Sequence, residues 1–245
     1  MTRERVGPVY RNLGRVEDAV LPLLVRTRWS GTEHLPPSGP VIVASNHISY
    51  VDPVMLEWFL VRAGRYPRFL AKAELFDMPV VGWLGRSCGQ IPVYRNSERS
   101  GESLVAAEAA LAAGECVAMY PEGTVTRDPD LWPMTPRLGA ARLALRTGAD
   151  VVPAGQWGAH EIMAPPKVTR IKLFPRRTVQ VTLGPPVHLD DLRPPAGEPP
   201  TREQEVAASG RIMDAISELV AGLRGEQPPS DGRWDMRVGA RVPSA

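Results

Sequence analysis

A buried strand that runs straight into a helix start constrains this chain most. Val41-Ile42-Val43-Ala44 is a short apolar run of strand character. Ser49-x-x-Asp52, followed by Pro53, matches a helix-start capping pattern, and proline is tolerated in a first helical turn. The alternation continues along the chain. Strands are expected at about 41–45, 68–71, 90–94, 116–120, 151–156, 168–174 and 178–183. Helices are expected at about 53–64, 98–113, 137–147 and 203–223, the second and third ended by Gly114 and Gly148. Strands alternating with helices predict the α/β class, with a central mixed sheet flanked by helices. At 245 residues the chain is long enough for one domain with a full core.

The turn between that first strand and helix carries His47 and Asp52. A neutral imidazole can take a proton near neutral pH, and a carboxylate can fix its tautomer and stabilise the cation that forms. On one continuous helix a spacing of five would put the two side chains far apart around the axis. With His47 in the turn and Asp52 in the first helical turn, they can face each other. Taken alone, the pair also fits a turn histidine beside a helix cap.

Beyond the pair, distinctive segments succeed one another along the chain. Phe69-Leu70-Ala71-Lys72-Ala73-Glu74-Leu75-Phe76 leads to Gly82-Trp83-Leu84-Gly85 and then to Gly89-Gln90-Ile91-Pro92-Val93-Tyr94-Arg95. Met119-Tyr120-Pro121-Glu122-Gly123-Thr124 comes next, and Val151-Val152-Pro153-Ala154 last. With Asn46-His47 and Asp52, these segments resemble the four ordered blocks of the glycerolipid acyltransferase family, whose bacterial prototype is 1-acyl-glycerol-3-phosphate acyltransferase (the PlsC-like family). The blocks are NHxxxxD, G-x-I-x-V-x-R, F-P-E-G-T-R-S and a V-P-rich strand. The match runs roughly from Trp29 to Leu183. The first and third blocks are the specific ones.

The resemblance implies a single-domain glycerolipid acyltransferase-like fold and transfer of an acyl group from a thioester to an alcohol. Such a transfer needs a base for the hydroxyl and donors for the oxyanion, but no covalent nucleophile. No serine lies in a G-x-S-x-G elbow, and neither Cys88 nor Cys116 sits in a nucleophile motif. The family mechanism makes His47 the base and Asp52 its orienting partner. Arg95 is implied as a ligand of the acceptor phosphate, a role suited to a planar guanidinium. Its plain alternative is a surface arginine after a strand. Lys72 is a second candidate cation, or a solvated lysine at a strand end. Glu122, Gly123 and Thr124 are implied in organising the acceptor site, with Gly123 admitting close backbone approach. Glu122 also reads as a structural carboxylate bonded to backbone amides. Val125 stands where the family has arginine, and Thr126 stands for its serine. Arg127 could replace the lost phosphate contact from two positions later, and a different acceptor stays open.

Charge is local here. Residues 1–30 hold six arginines against three acids, and residues 167–177 hold five basic residues and no acid, while the whole chain is only +2. Arg170 and Lys172 alternate with Ile171 and Leu173, as on a half-buried strand with a basic outer face. Such a face suits anionic lipid head groups or the phosphates of coenzyme A. No nucleic-acid-binding motif accompanies it and aromatics are only 6%, so nucleic acid is not expected as a partner. No apolar run reaches the ~20 residues a spanning helix needs, and no signal peptide is expected. Two distant cysteines suggest a reducing compartment, and His160-Glu161 lacks the second histidine of a zinc motif. Neither metal nor cofactor is expected, acyl-coenzyme A being a co-substrate.

Val6, Val9, Tyr10, Leu13, Val16, Val20, Leu23 and Leu24 recur at helical spacing among Arg5, Arg11 and Arg15. This predicts an amphipathic helix within residues 1–28, fit to lie in a bilayer interface or to pack on the domain. Residues 29–224 form the expected acyltransferase domain, with a Pro-rich linker at 193–201, and 225–245 is an expected disordered tail. The combined expectation is a peripheral enzyme on the cytoplasmic face of an anionic membrane. It would move a fatty acyl group from acyl-coenzyme A, or acyl carrier protein, to 1-acyl-glycerol-3-phosphate. Rival expectations are another acceptor (the 2-acyl isomer, glycerol phosphate or another polar-lipid alcohol) and an inactive lipid- or acyl-coenzyme-A-binding protein. The intact His47 and Asp52 argue against the last.

Overall fold

In a computed structural model, which describes residues 6–94, 98–164, 170–195 and 197–243, the chain opens with helix α1 (Pro8–Leu24) and strand β1 (Val25–Ser30). β2 (Val41–Ser45) leads into α2 (Asp52–Arg62), β3 (Arg68–Lys72) into α3 (Pro79–Ser87), and β4 (Ile91–Val93) into α4 (Glu102–Ala112). β5 (Cys116–Met119), α5 (Gly139–Thr147), β6 (Asp150–Trp157) and β7 (Arg177–Leu183) come next. Helix α6 (Arg202–Arg224) and a hairpin of β8 (Arg233–Asp235) and β9 (Ala240–Val242) complete the described chain.

The first seven strands form one sheet in the order β1-β7-β6-β2-β5-β3-β4. β2 through β6 run parallel, while β7 is antiparallel to β6 and parallel to β1. The sheet is therefore mixed and helix-flanked, as expected. The run at β2 is apolar throughout because both of its faces are covered. Ile42 and Ala44 pack with residues of α4, α5 and α6, such as Leu111, Leu143 and Ile216. Val41 and Val43 pack under Leu56, Phe59 and Leu60 of α2 on the other face. The carboxyl ends of the parallel strands share one edge, the place where open α/β sheets receive ligands. His47, Lys72 and Glu122 all lie just beyond or at that edge.

Four segments differ from the sequence reading. The N-terminal helix stops at Leu24, and residues 25–30 become an edge strand because Val25 turns into the core and pairs with β7. Residues 170–174 are not a strand. Lys172 N donates to Ile162 O and no ladder forms; Ile171 and Phe174 are 58% and 76% exposed. Helix α3 was not expected, since Gly82 and Gly85 weaken helix propensity. A Cβ on Gly82 would come within 2.0 Å of Phe76 O, so the glycine is what lets the helix lie against the preceding turn.

The fourth segment is the tail, expected to be disordered. Its hairpin is held by partners far away in sequence. Thr135 N donates to Trp234 O at 3.0 Å, and Arg241 pairs with Asp128 at 2.7 Å and Asp130 at 2.6 Å. Composition cannot register such distant partners.

Helix α1 divides its apolar side chains. Tyr10 is buried and donates its hydroxyl to Pro67 O at 2.7 Å, and Gly14 packs against Val61 of α2. Val16, Val20 and Leu23 point outward.

Candidate active site

The turn after β2 brings His47 onto Asp52. Asp52 is fully buried at the first position of α2, and its Oδ2 accepts from His47 Nδ1 at 2.9 Å and from the amides of Ile48 and Ser49 at 2.6 and 2.7 Å. An ionised carboxylate only accepts, so three donors on one oxygen match it. The capping pattern is realised from one side only. Asp52 reaches back to the Ser49 amide, while Ser49 Oγ donates to Met163 O at 2.8 Å. With Nδ1 donating to Asp52, the lone pair of His47 lies on Nε2, which makes no hydrogen bond to a described residue. The ring is 13% exposed and stacks on Tyr120 with centroids 4.2 Å apart.

The main chain of His47 is clamped by the third block. Its N–H donates to Glu122 Oε1 at 2.8 Å, and its carbonyl accepts from Thr126 N at 2.7 Å. The other oxygen of Glu122 accepts from Met134 N at 3.0 Å. Burial pushes the Glu122 carboxyl up to about 8, with the Met134 and His47 amides pulling the other way. Of the two readings of Glu122, this geometry matches the carboxylate bonded to backbone amides.

Asn46 ties the fourth block to the first. Its Nδ2 donates to Gln156 O at 3.0 Å, and Gln156 N donates to its Oδ1 at 2.7 Å, so the ends of β2 and β6 are locked one residue before His47. Gln156 Nε2 also donates to Ser45 Oγ at 3.0 Å.

Gly123 turns with φ of +72°, and a Cβ there would lie 2.8 Å from Cδ and Nε of Arg137. Arg137 thus lies over the turn, anchored by its amide on Pro121 O at 2.8 Å. Thr124 is half-buried, and Val125 is buried, so no cation occupies that position. The structure therefore gathers His47, Asp52, Glu122, Gly123 and Thr124. Lys72 is exposed at the end of β3, and Arg127 is exposed in the loop after Thr126 with its amide on Met134 Sδ at 3.0 Å. Neither touches the dyad among the described residues. Arg95 lies outside the described residues.

Sequence reading missed Tyr120, the Asn46–Gln156 pairing and Arg137. A glutamine inside the apolar run 151–157 was the available signal for the pairing. Arg137 had none, because only the folding of the loop 121–137 brings it to Gly123. Among the described residues no cluster of His, Cys, Asp or Glu could hold a metal ion.

An acyltransferase family model matches residues 26–157, a span that begins in β1 and ends at the β6 strand bearing Gln156. The chain belongs to the acyltransferase family. Similar curated members include the chloroplast 1-acyl-sn-glycerol-3-phosphate acyltransferases BAT2 of Brassica napus and LPAT1 of Arabidopsis thaliana. BAT2 is 34% identical over 140 residues, covering 56% of this chain and 39% of that protein. LPAT1 is 33% identical over 135 residues, covering 54% and 36%. The chain thus spans less than half the length of these relatives. The crystal structure of the 1-acyl-sn-glycerophosphate (LPA) acyltransferase PlsC from Thermotoga maritima shares the fold. Its TM-score is 0.67 at 21% identity, over 90% of this chain and 81% of that one. In this acyltransferase, then, the family's first and third blocks are one hydrogen-bonded unit built around His47.

Proposed function

We propose that the chain transfers a fatty acyl group from a thioester, acyl-coenzyme A or acyl carrier protein, to the hydroxyl of 1-acyl-glycerol-3-phosphate, forming phosphatidate for phospholipid synthesis. The observation that carries this reading is the imidazole held at Nδ1 by buried Asp52 with Nε2 left open. Nε2 takes the hydroxyl proton as the oxygen attacks the thioester carbonyl carbon. The tetrahedral adduct then expels the thiolate, and the imidazolium returns the proton to it. Asp52 stabilises that imidazolium and holds the ring in one tautomer. Lys72, Arg127, Arg137 and Arg95 are the cations assigned to the acceptor phosphate. The names of the chloroplast relatives support a lysophosphatidate acceptor.

A second acceptor reading rests on Val125, a buried apolar side chain where the family carries arginine. It keeps the chemistry and replaces the acceptor by the 2-acyl isomer, glycerol phosphate or another polar-lipid alcohol. Among the described residues no helix is long and apolar enough to cross a membrane. A lipid acceptor is borne by a membrane, and we propose for the enzyme a peripheral position on its cytoplasmic face.

The test is incubation of purified protein with a panel of lysolipids and either acyl-coenzyme A or acyl carrier protein, with mass spectrometry of the products. Phosphatidate from 1-acyl-glycerol-3-phosphate is the expected dominant product. Absence of any acylated product would favour the inactive binding protein instead.

A further inference from the structure

Exposed large apolar side chains collect on one edge of this molecule. The parallel strands end at the edge that carries His47. β7 runs opposite to β6, so the segment entering β7 at Arg177 lies at that same edge. β1 is parallel to β7 and begins opposite Arg177, so the end of α1 lies there too. Val20 and Leu23 stand exposed on that end of α1. Ile171 and Phe174 stand exposed in the segment before β7, and Met78 and Val80 where α3 begins, one short turn beyond β3. Three segments remote in sequence thus set uncovered apolar groups around one edge. Scattered apolar residues would need no explanation, whereas a shared rim does.

The charge around the rim identifies its partner. Arg170 and Lys172 flank Ile171, Arg176 comes after Phe174, and Arg26 lies one residue into β1; all four are exposed. Glu161, the acid beside this group, already pairs with Arg177 at 3.4 Å. At the entry to β7 the apolar tips of Ile171 and Phe174 sit among cations, which matches the boundary between acyl chains and anionic head groups, while the exposed acids Glu74 and Asp77 lie at the α3 end of the rim. Tyr10 and Gly14 are packed on the domain, so the apolar face read for α1 in the sequence cannot attach as a whole.

We propose that the carboxyl edge of the sheet docks on an anionic bilayer, with Ile171 and Phe174 inserted and His47 turned toward the head groups. The proposal rests on the lipid-acceptor reading of the site, because only a membrane-borne acceptor requires the catalytic edge itself to face the bilayer. Ile171 and Phe174 are largely exposed and belong to no buried cluster, unlike Leu173 between them, so replacing them leaves the core packing in place.

The experiment sediments the full chain with vesicles of phosphatidylglycerol and phosphatidylcholine, and with vesicles of phosphatidylcholine alone, at low and high salt. Parent protein is expected on the anionic vesicles at low salt and released at high salt. Phe174→Glu and Ile171→Glu should each lower the bound fraction several-fold. Ala112→Glu, exposed at the end of α4 on the opposite edge, should not. Turnover on a water-soluble short-chain lysophosphatidate should be the same in all three variants. Equal sedimentation of Phe174→Glu and parent would overturn the proposal, as would equal weakening by Ala112→Glu. So would self-association of the parent, without vesicles, that these substitutions abolish. Loss of turnover in parent protein that still sediments would instead remove the acyl-transfer reading and leave the docking face standing.

Discussion

Glu122 holds His47 by its main chain and not by its ring. One carboxylate oxygen accepts the His47 amide at 2.8 Å, and the other accepts the Met134 amide at 3.0 Å. The turn carrying the base and the loop 122–134 are thereby one piece. Glu122→Gln turns one acceptor into a donor that faces an amide N–H. Leaving one buried donor unsatisfied costs about 1–3 kcal/mol, so the variant should melt earlier and lose kcat with little change in the acceptor KM. An unchanged melt with a raised acceptor KM would mean that Glu122 touches the acceptor.

Arg137 makes no ion pair among the described residues and lies over Gly123. As a phosphate ligand it contributes a charge-assisted bond of about 1.5–3 kcal/mol. Arg137→Ala should therefore raise the KM for lysophosphatidate roughly tenfold or more, leave the KM for acyl-coenzyme A unchanged, and narrow the preference over monoacylglycerol. Equal effects on both substrates in steady-state assays would assign Arg137 to loop structure.

Arg241 of the tail pairs with Asp128, whose side chain is only 1% exposed. Removing one partner of such a pair leaves a buried charge uncompensated. Arg241→Ala should thus lower unfolding free energy by roughly 3 kcal/mol in urea titrations, and Asp128→Asn added to it should recover part of the loss. No effect of Arg241→Ala on the melt would mean the hairpin does not brace the loop after Thr124.

Two carboxylates face the α1–α2 contact. Burial, reinforced by Glu57 and Asp18, pushes Glu17 up to about 8, and burial pushes Glu57 up to about 7, with Tyr10 pulling the other way. Both values lie above the unfolded value of 4.5, so the folded chain holds protons that the unfolded chain releases. Their contribution is complete below that unfolded value and is lost as pH rises through the folded ones. Melting temperature should fall from about pH 5 to pH 8 and flatten above. Glu17→Gln should make the decline shallower and raise the melt at pH 8. A parent melt independent of pH across this window would contradict the buried-acid reading.

Much of this was legible in the sequence, and for a physical reason. Strands buried on both faces read as apolar runs, so β2 and β5 stand out, and a spacing of five across a strand-to-helix turn already brings His47 to Asp52. The rest depends on contacts between distant segments. The basic alternation at 170–174 imitates a strand but has no neighbour with which to pair. The tail looks disordered by composition, yet Arg241 finds Asp128 more than a hundred residues away. Arg137 reaches Gly123 only through the path of a loop. Such pairings leave no periodic trace.

Turnover of a folded His47→Ala variant on acyl-coenzyme A and 1-acyl-glycerol-3-phosphate tests the assignment of the base most directly. With circular dichroism and melting matching the parent, kcat should fall by roughly two to four orders of magnitude. Asp52→Asn should fall with it, because the ring loses the carboxylate that fixes its tautomer. A folded His47→Ala variant retaining near-parental turnover would contradict the mechanism.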